Sequence, residues 1–295
     1  MAGRGELTDA AWEQIEPLMP RVGGRGRPWR DHRQVVNGVL WRLRTGAPWR
    51  DVPERYGPWQ TVYERFARWE SDGTWVKLLE YVQVRDDAVG RVEWTVAIDS
   101  TINRAHQHAA GAPKKGSQNG DEPEDPSRSQ ARQALGRSRG GLTTKVHLAV
   151  DGRGLPLSIV LTPGNTKTAT TFGQVLDGIR VPRAMGRPRT TPERVLGDRG
   201  YSSRAIRNLL RRRGIAATIP ERRDQAANRR RRGNLGGRPP AFDNVLYRDR
   251  NVLERCFARL KQFRAIATRF DKLAARYRAG LVLASLAVWL REPAG

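Results

Sequence analysis

Four residues near the C-terminus, Tyr247, Arg250, Glu254 and Lys261, have the types and spacing of a phosphate and metal site. A helix turns about 100° per residue, so with Leu253 at zero, Leu253, Cys256, Phe257, Leu260 and Phe263 fall within roughly 120° of arc. That arc is the buried face. Arg250, Glu254 and Lys261 lie at about 60°, 100° and 80° along its margin, whereas Arg255, Arg259 and Gln262 point to solvent. A carboxylate between two cations on a half-buried edge can hold a metal while the cations hold phosphates. The same spacing equally makes an ordinary i, i+4 ion pair between Arg250 and Glu254.

Two further carboxylates are read at the C-terminal ends of β-rich runs: Asp99 after EWTVAI and Asp198 after RVLG. Ligand sites in open α/β sheets gather at that edge. Three carboxylates on separate elements can hold two divalent ions about 3.5–4 Å apart, which activate a water and relieve charge on both oxygens of a breaking phosphodiester. Mg²⁺ suits such a site because it keeps several waters and takes few protein carboxylates. In this reading Asp99 bridges both ions, and Asp198 and Glu254 hold one each. The chain has four histidines and one cysteine, and this chemistry needs neither type.

The elements that must position these groups follow from periodicity. Residues 1–85 read as short helices. Thr8 and Asp9 can cap the first, with Trp12, Ile15 and Leu18 on one face. A second runs from about Asp31 to Arg44 and stops at Gly46 and Pro48. A third follows Gly57-Pro58, with Trp59, Val62, Phe66 and Trp69 as its buried stripe. Gln60, Thr61, Glu64, Arg65 and Arg68 are expected outward, as in a helix-turn-helix that contacts DNA. Any small helical bundle would show the same pattern. From about residue 86 to 292 the pattern is mixed. A strand (Glu93–Asp99) is followed by a polar segment, 105–141, read as a flexible insertion. A hairpin comes next, TTKVHLAV and LPLSIVL around the turn Asp151–Gly154. A helix is expected over about Thr170–Ile179, a strand at Arg194–Asp198, a helix capped near Ser202 and a last strand at Ile215–Ile219. Residues 221–240, ERRDQAANRRRRGNLGGRPP, have no hydrophobic period and read as a solvated loop, with Arg229, Arg230, Arg231 and Arg232 free to meet phosphates. The apolar run Ala279–Leu290 is too short to span a bilayer and reads as a buried helix. These elements predict an α/β fold, a mixed sheet with flanking helices, preceded by a small all-α domain.

Composition narrows the partners. The formal charge is +24, from 54 Lys and Arg against 30 Asp and Glu. That excess favours a polyanion, because each neutralised phosphate releases counterions. No long basic amphipathic helix suggests a membrane surface instead. The opening residues have no apolar signal core, so a cytoplasmic, nucleoid-associated location is expected. One cysteine excludes an internal disulfide and a zinc cluster.

The residues then carry a family likeness. The spacing Tyr247, Arg250, Glu254, Lys261, with AIDST around Asp99, RAHQHAAGA from Arg104, GGLTTKVHLAVDG from Gly140 and LGDRGYSS around Asp198, resembles bacterial insertion-sequence transposases of the Asp-Asp-Glu type. PWRDVPERYGPWQTVYERF, from Pro48, resembles the N-terminal DNA-binding region of the same proteins. The likeness implies an RNase H-like catalytic domain, Mg²⁺ with Mn²⁺ as a substitute, and binding to terminal inverted repeats. It also implies end cleavage, then attack of a 3′-hydroxyl on target DNA, within a homodimer or larger synaptic complex. One departure lies at Gly164–Thr168, which has no carboxylate where relatives often have one. A DNA-binding regulator with a decayed nuclease core and a plain nuclease are the rival readings. His106 and His108 form an HxH pair without an identifiable third ligand, and His147 reads as a packed strand residue.

Overall fold

A computed structural model describes residues 5–20, 29–110, 133–183 and 185–291. Four N-terminal helices come first: α1 (Asp9–Ile15), α2 (His32–Thr45), α3 (Trp59–Ser71) and α4 (Thr74–Ala88). Thr8 caps α1 by accepting from the Ala11 N–H, and Asp31 caps α2 by accepting from Gln34. Gly46 ends α2 at φ 72°, a left-handed turn that glycine adopts without strain. Val62, Phe66 and Trp69 are buried, as the stripe predicts, but Leu18 is 40% exposed because α1 stops at Ile15 and a 3₁₀ turn rotates it outward.

The sheet holds seven strands: β1 (Thr95–Ala105), β2 (Gly136–Ser138), β3 (Gly141–Val150), β4 (Pro156–Pro163), β5 (Arg194–Gly197), β6 (Ala216–Thr218) and β7 (Thr268–Arg269). β1, β3 and β4 are antiparallel neighbours, and β5 and β6 add in parallel beyond β1. The predicted hairpin around Asp151–Gly154 is present. β3 is buried along nearly all its length, as a central strand covered on both faces should be.

β1 corrects one expectation. It does not stop at Asp99 but runs on to Ala105, because β3 offers partners as far as Thr143. Asp99 therefore sits within the strand, whereas Asp198 does follow the end of β5. The expected insertion 105–141 is likewise shorter. β1 takes its first residue, α5 (Gln107–Ala110) follows, and β2 takes 136–138; residues 111–132 lie outside the described residues.

The remaining helices are α6 (Phe172–Asp177), α7 (Arg204–Arg212), α8 (Arg223–Arg231), α9 (Asn244–Arg248), α10 (Asn251–Lys261), α11 (Arg264–Ala267) and α12 (Ala274–Trp289). The Arg-rich stretch is thus helical over α8 rather than a loop. Arg, Gln and Ala are good helix formers, and a helix needs no apolar stripe where it packs loosely. α12 is buried on nearly every side and packs against α4 and β4. One contiguous core runs from Leu7 through the sheet to Leu290. The Pro156 carbonyl accepts from both Gln83 of α4 and Trp289 of α12, each at 3.0 Å, tying both ends of the chain to β4.

Candidate active site

Side chains alternate across a strand, so Asp99, Thr101 and Asn103 share one face of β1. Each meets a C-terminal helix. Arg250, just ahead of α10, donates to Asp99 Oδ2 at 2.7 Å and to Glu254 Oε1 at 2.6 Å. Lys261, the last residue of α10, donates to Thr101 Oγ1 at 2.7 Å. Asn103 donates to the Ile266 carbonyl and the Tyr277 hydroxyl. The polar margin of α10 lies along this line, while Leu253, Cys256, Leu260 and Phe263 are buried. Glu254 remains 62% exposed.

Asp198 enters from β5. Its carboxylate accepts from the Gly200 N–H at 2.8 Å and caps the turn Arg199–Tyr201. Burial pushes the Asp99 carboxyl above its usual range, and the nearby Asp198 charge adds to that, against the Ser100 N–H and Arg250. Burial alone would lower Arg250, but Asp99, Tyr247 and Glu254 together hold it above its ordinary value. Burial lowers Lys261.

Tyr201 is a member of this group that the sequence reading did not single out. It is fully buried, and its hydroxyl, near Ser100, Asp99 and Asp198, makes no well-aligned hydrogen bond. Burial first, then both carboxylates, raise its pKa. The signal was present in Gly200-Tyr201, one residue beyond Asp198.

Asp99 and Asp198 therefore lie together, and Arg250 links Asp99 to Glu254. Among the described residues no three His, Cys, Asp or Glu groups are arranged to hold a metal ion. The Arg250 guanidinium lies between Asp99 and Glu254 and donates to both. The donor set still fits a divalent cation. It has two hard carboxylates, one of them desolvated, coupled by like charge and close to the Tyr201 hydroxyl, which makes no well-aligned hydrogen bond. The loop at Gly164–Thr168 approaches by other means than a carboxylate. Thr168 Oγ1 lies 3.3 Å from Ser100 Oγ, and Lys145 donates to the Thr166 carbonyl.

Tyr247 is half-buried beside Arg250, whose Cζ lies 5.9 Å from the ring centroid. In α3, Gln60 and Arg68 are exposed and Thr61 is half-buried. Arg65 is not outward as expected. It is buried, with its guanidinium 4.1 Å from the Trp29 ring centroid and 2.8 Å from His32 Nδ1. An arginine stacked on an aromatic can be buried without a carboxylate partner. Arg229 is paired with Glu221 at 2.9 Å, whereas Arg230, Arg231 and Arg232 are exposed. His106 and His108 pack edge to face, and His147 is buried against Thr162, its pKa lowered by burial to about 4. Cys256 is buried. No helix of the described residues is long and apolar enough to cross a membrane.

Comparison with known proteins bears on most of the chain. Residues 7–79 match the family model described as "Putative transposase of IS4/5 family", and residues 90–289 match "Transposase DDE domain". The chain is 40% identical over 107 residues to an uncharacterized protein, y4sN, of Sinorhizobium fredii, covering 36% of this chain and 82% of that one. It is 34% identical over 139 residues to a "Putative transposase for insertion sequence element IS402" of Burkholderia cepacia, covering 47% of this chain and 57% of the relative. It is 29% identical over 150 residues to the corresponding protein of element IS6501 from Brucella ovis, covering 51% of this chain and 100% of the relative. Among solved structures, a Mos1 transposase paired-end complex with left transposon end aligns over 83% of this chain and 82% of that one. Its identity is 13% and its TM-score 0.24, a superposition too loose to inform geometry.

Proposed function

The chain belongs to the transposase DDE-domain family, with an RNase H-like mixed sheet and flanking helices, and we propose that it acts through Asp99, Asp198 and Glu254 on the ends of an insertion sequence. In this reading it binds terminal inverted repeats, cuts a phosphodiester there and joins the freed 3′ end to target DNA. The observation that carries the proposal is the Arg250 bridge. It draws Glu254, roughly half the chain away in sequence, to Asp99, beside Asp198.

The three carboxylates would hold divalent ions, Mg²⁺ by preference and Mn²⁺ as a substitute. When bound, such ions supply an activated water and relief of phosphate charge. The chain's own cations do the positioning. Arg250 touches Asp99 and Glu254, and Lys261 lies further along the same face of β1 at Thr101; both are suited to orient phosphate oxygens, Arg250 in a bidentate fork and Lys261 as a point charge. A phosphate that takes the Arg250 guanidinium also frees Glu254 to turn toward Asp99. Gln60, Thr61 and Arg68 on the outer face of α3 are suited to duplex DNA, with the helices of 1–85 as the recognition region ahead of a catalytic region 86–292. Joining two ends calls for a homodimer or larger synaptic assembly.

Asp99→Asn, Asp198→Asn and Glu254→Gln should each lower divalent-dependent nicking of an end-containing duplex by at least about 10³-fold, the scale on which one member of a catalytic set acts. DNA binding should persist. Nicking that survives in all three variants would refute the assignment. A second reading, a DNA-binding regulator without catalysis, draws on the Arg250 clasp, which engages both Asp99 and Glu254. DNA binding with no divalent-dependent cleavage or joining of a pre-cut end would favour it.

A further inference from the structure

Away from the carboxylates, α7 and α8 enclose a cleft of about 990 Å³. Arg204, Arg207 and Arg211 of α7 line one side; Arg229, Arg232 and Arg238 line the other. Glu221 is the one carboxylate on its wall, and Arg229 already neutralises it at 2.9 Å. Among the described residues Arg204, Arg211, Arg232 and Arg238 pair with no carboxylate, and all four are exposed. Burial lowers the Arg207 pKa, so the charge in the cleft is partly desolvated.

α8 itself needs an explanation. It has nine residues and buries none of them. A helix that short is marginal without packing. What holds it is polar. Gln225 donates to the Ser202 carbonyl and accepts from the Ser202 hydroxyl, both at 2.7 Å, and Arg222 donates to the carbonyls of Arg199 and Gly200. These are the residues that directly follow Asp198. The helix is therefore fastened to the loop that bears a carboxylate of the active site, while its arginines face away from any protein core.

We propose that the α7–α8 cleft is a second DNA site, taking the phosphodiester backbone of a duplex segment other than the one at the carboxylates, and so bracing the Asp198 loop when occupied. The unpaired arginines have the sign a phosphate backbone requires, and Gln225 and Arg222 tie the wall of the cleft to the turn that follows Asp198. This deepens the transposase reading and rests on it for the identity of the polyanion.

The test uses the full chain in EDTA, where no cleavage can occur, so its outcome does not depend on the carboxylate assignment. Duplex binding would be titrated over a range of salt for the parent and for a triple variant, Arg204→Ala, Arg211→Ala, Arg238→Ala. Each neutralised phosphate contributes about 0.9 to the slope of log K against log salt. The triple variant should therefore show a slope shallower by about 2–3 units, with the same loss on every sequence. A second measurement leaves the arginines intact. Cys256 is the sole cysteine and is buried, its thiol pushed up to about 12 by burial. In Asn208→Cys, a cross-linker attached within the cleft would therefore react from one place, and should couple to duplex DNA. An unchanged slope, or no cross-link to DNA that is demonstrably bound, would overturn the proposal.

Discussion

At the scale of single residues, buried ionisable side chains recur in this chain, and each is accommodated by a different means. Arg269 is fully buried and satisfied by carbonyls of Gln133, Asp271 and Lys272 and by the Thr144 hydroxyl. Arg65 is stacked on Trp29. Asp151, in the β3–β4 turn, accepts from the N–H groups of Leu155 and Arg153, yet its Oδ2 has no hydrogen-bond partner among the described residues. Burial pushes the Asp151 carboxyl up to about 7. Its pKa in the folded chain thus exceeds that in the unfolded chain, about 3.9. The stabilising contribution is complete below about pH 4 and declines as pH rises toward 7, because the folded state retains a proton that the unfolded state has released. Asp151→Asn keeps an acceptor for both N–H groups and removes the titration. Relative to the parent, its melting temperature should become more favourable on going from pH 5 to pH 8. A difference independent of pH would contradict the buried, protonated state.

At the scale of elements, packing limits are tight where helices cross loops. A Cβ added at Gly38 of α2 would lie 2.9 Å from the Tyr56 Cβ, an atom fixed to the backbone. Gly→Ala inside a helix ordinarily gains up to about 1 kcal/mol, but overpacking costs about 1–3 kcal/mol. The second effect should win, so Gly38→Ala is expected to lower the midpoint of urea unfolding, and a raised midpoint would show that the turn at Tyr56 yields. The same scale shows what the sequence made legible. The hairpin, the buried C-terminal helix and the polar margin of α10 follow from periods of two and 3.6, and all are found. The extension of β1 was hidden because Thr101 and Asn103 are polar, and only their helical partners, far off in sequence, explain why a strand continues through them. α8 was hidden because it has no apolar period to read. Arg65 was misplaced because Trp29, which stacks on it, belongs to neither the same helix nor its neighbour. The nearness of Asp99 and Glu254 followed from resemblance, but the guanidinium between them did not, since i, i+4 spacing gives Arg250 one partner and the sheet supplies the other.

At the scale of the molecule, the helices of the first 88 residues and the sheet share one core. The buried face of α4 includes Trp75, Leu78, Leu79 and Val82. Burying such side chains is worth about 1.5–3 kcal/mol each. Their sum is of the same order as the whole stability of a typical domain, about 5–15 kcal/mol. Residues 90–295 expressed alone would expose the α12 surface that α4 covers. They should melt without cooperativity, and adding residues 1–89 should restore a single transition. A fragment that melts as sharply as the full chain, at the same temperature, would show the two parts to be thermodynamically independent. The strand at the centre of this unit has a wider effect. Three alternate residues of β1 hook three successive stations on the C-terminal helices. Shifting the strand by one residue against β3 would turn Asp99 to the opposite side of the sheet and unhook all three together. A mis-threaded copy would then lose the whole constellation rather than part of it, so correct register is an all-or-none condition for the site.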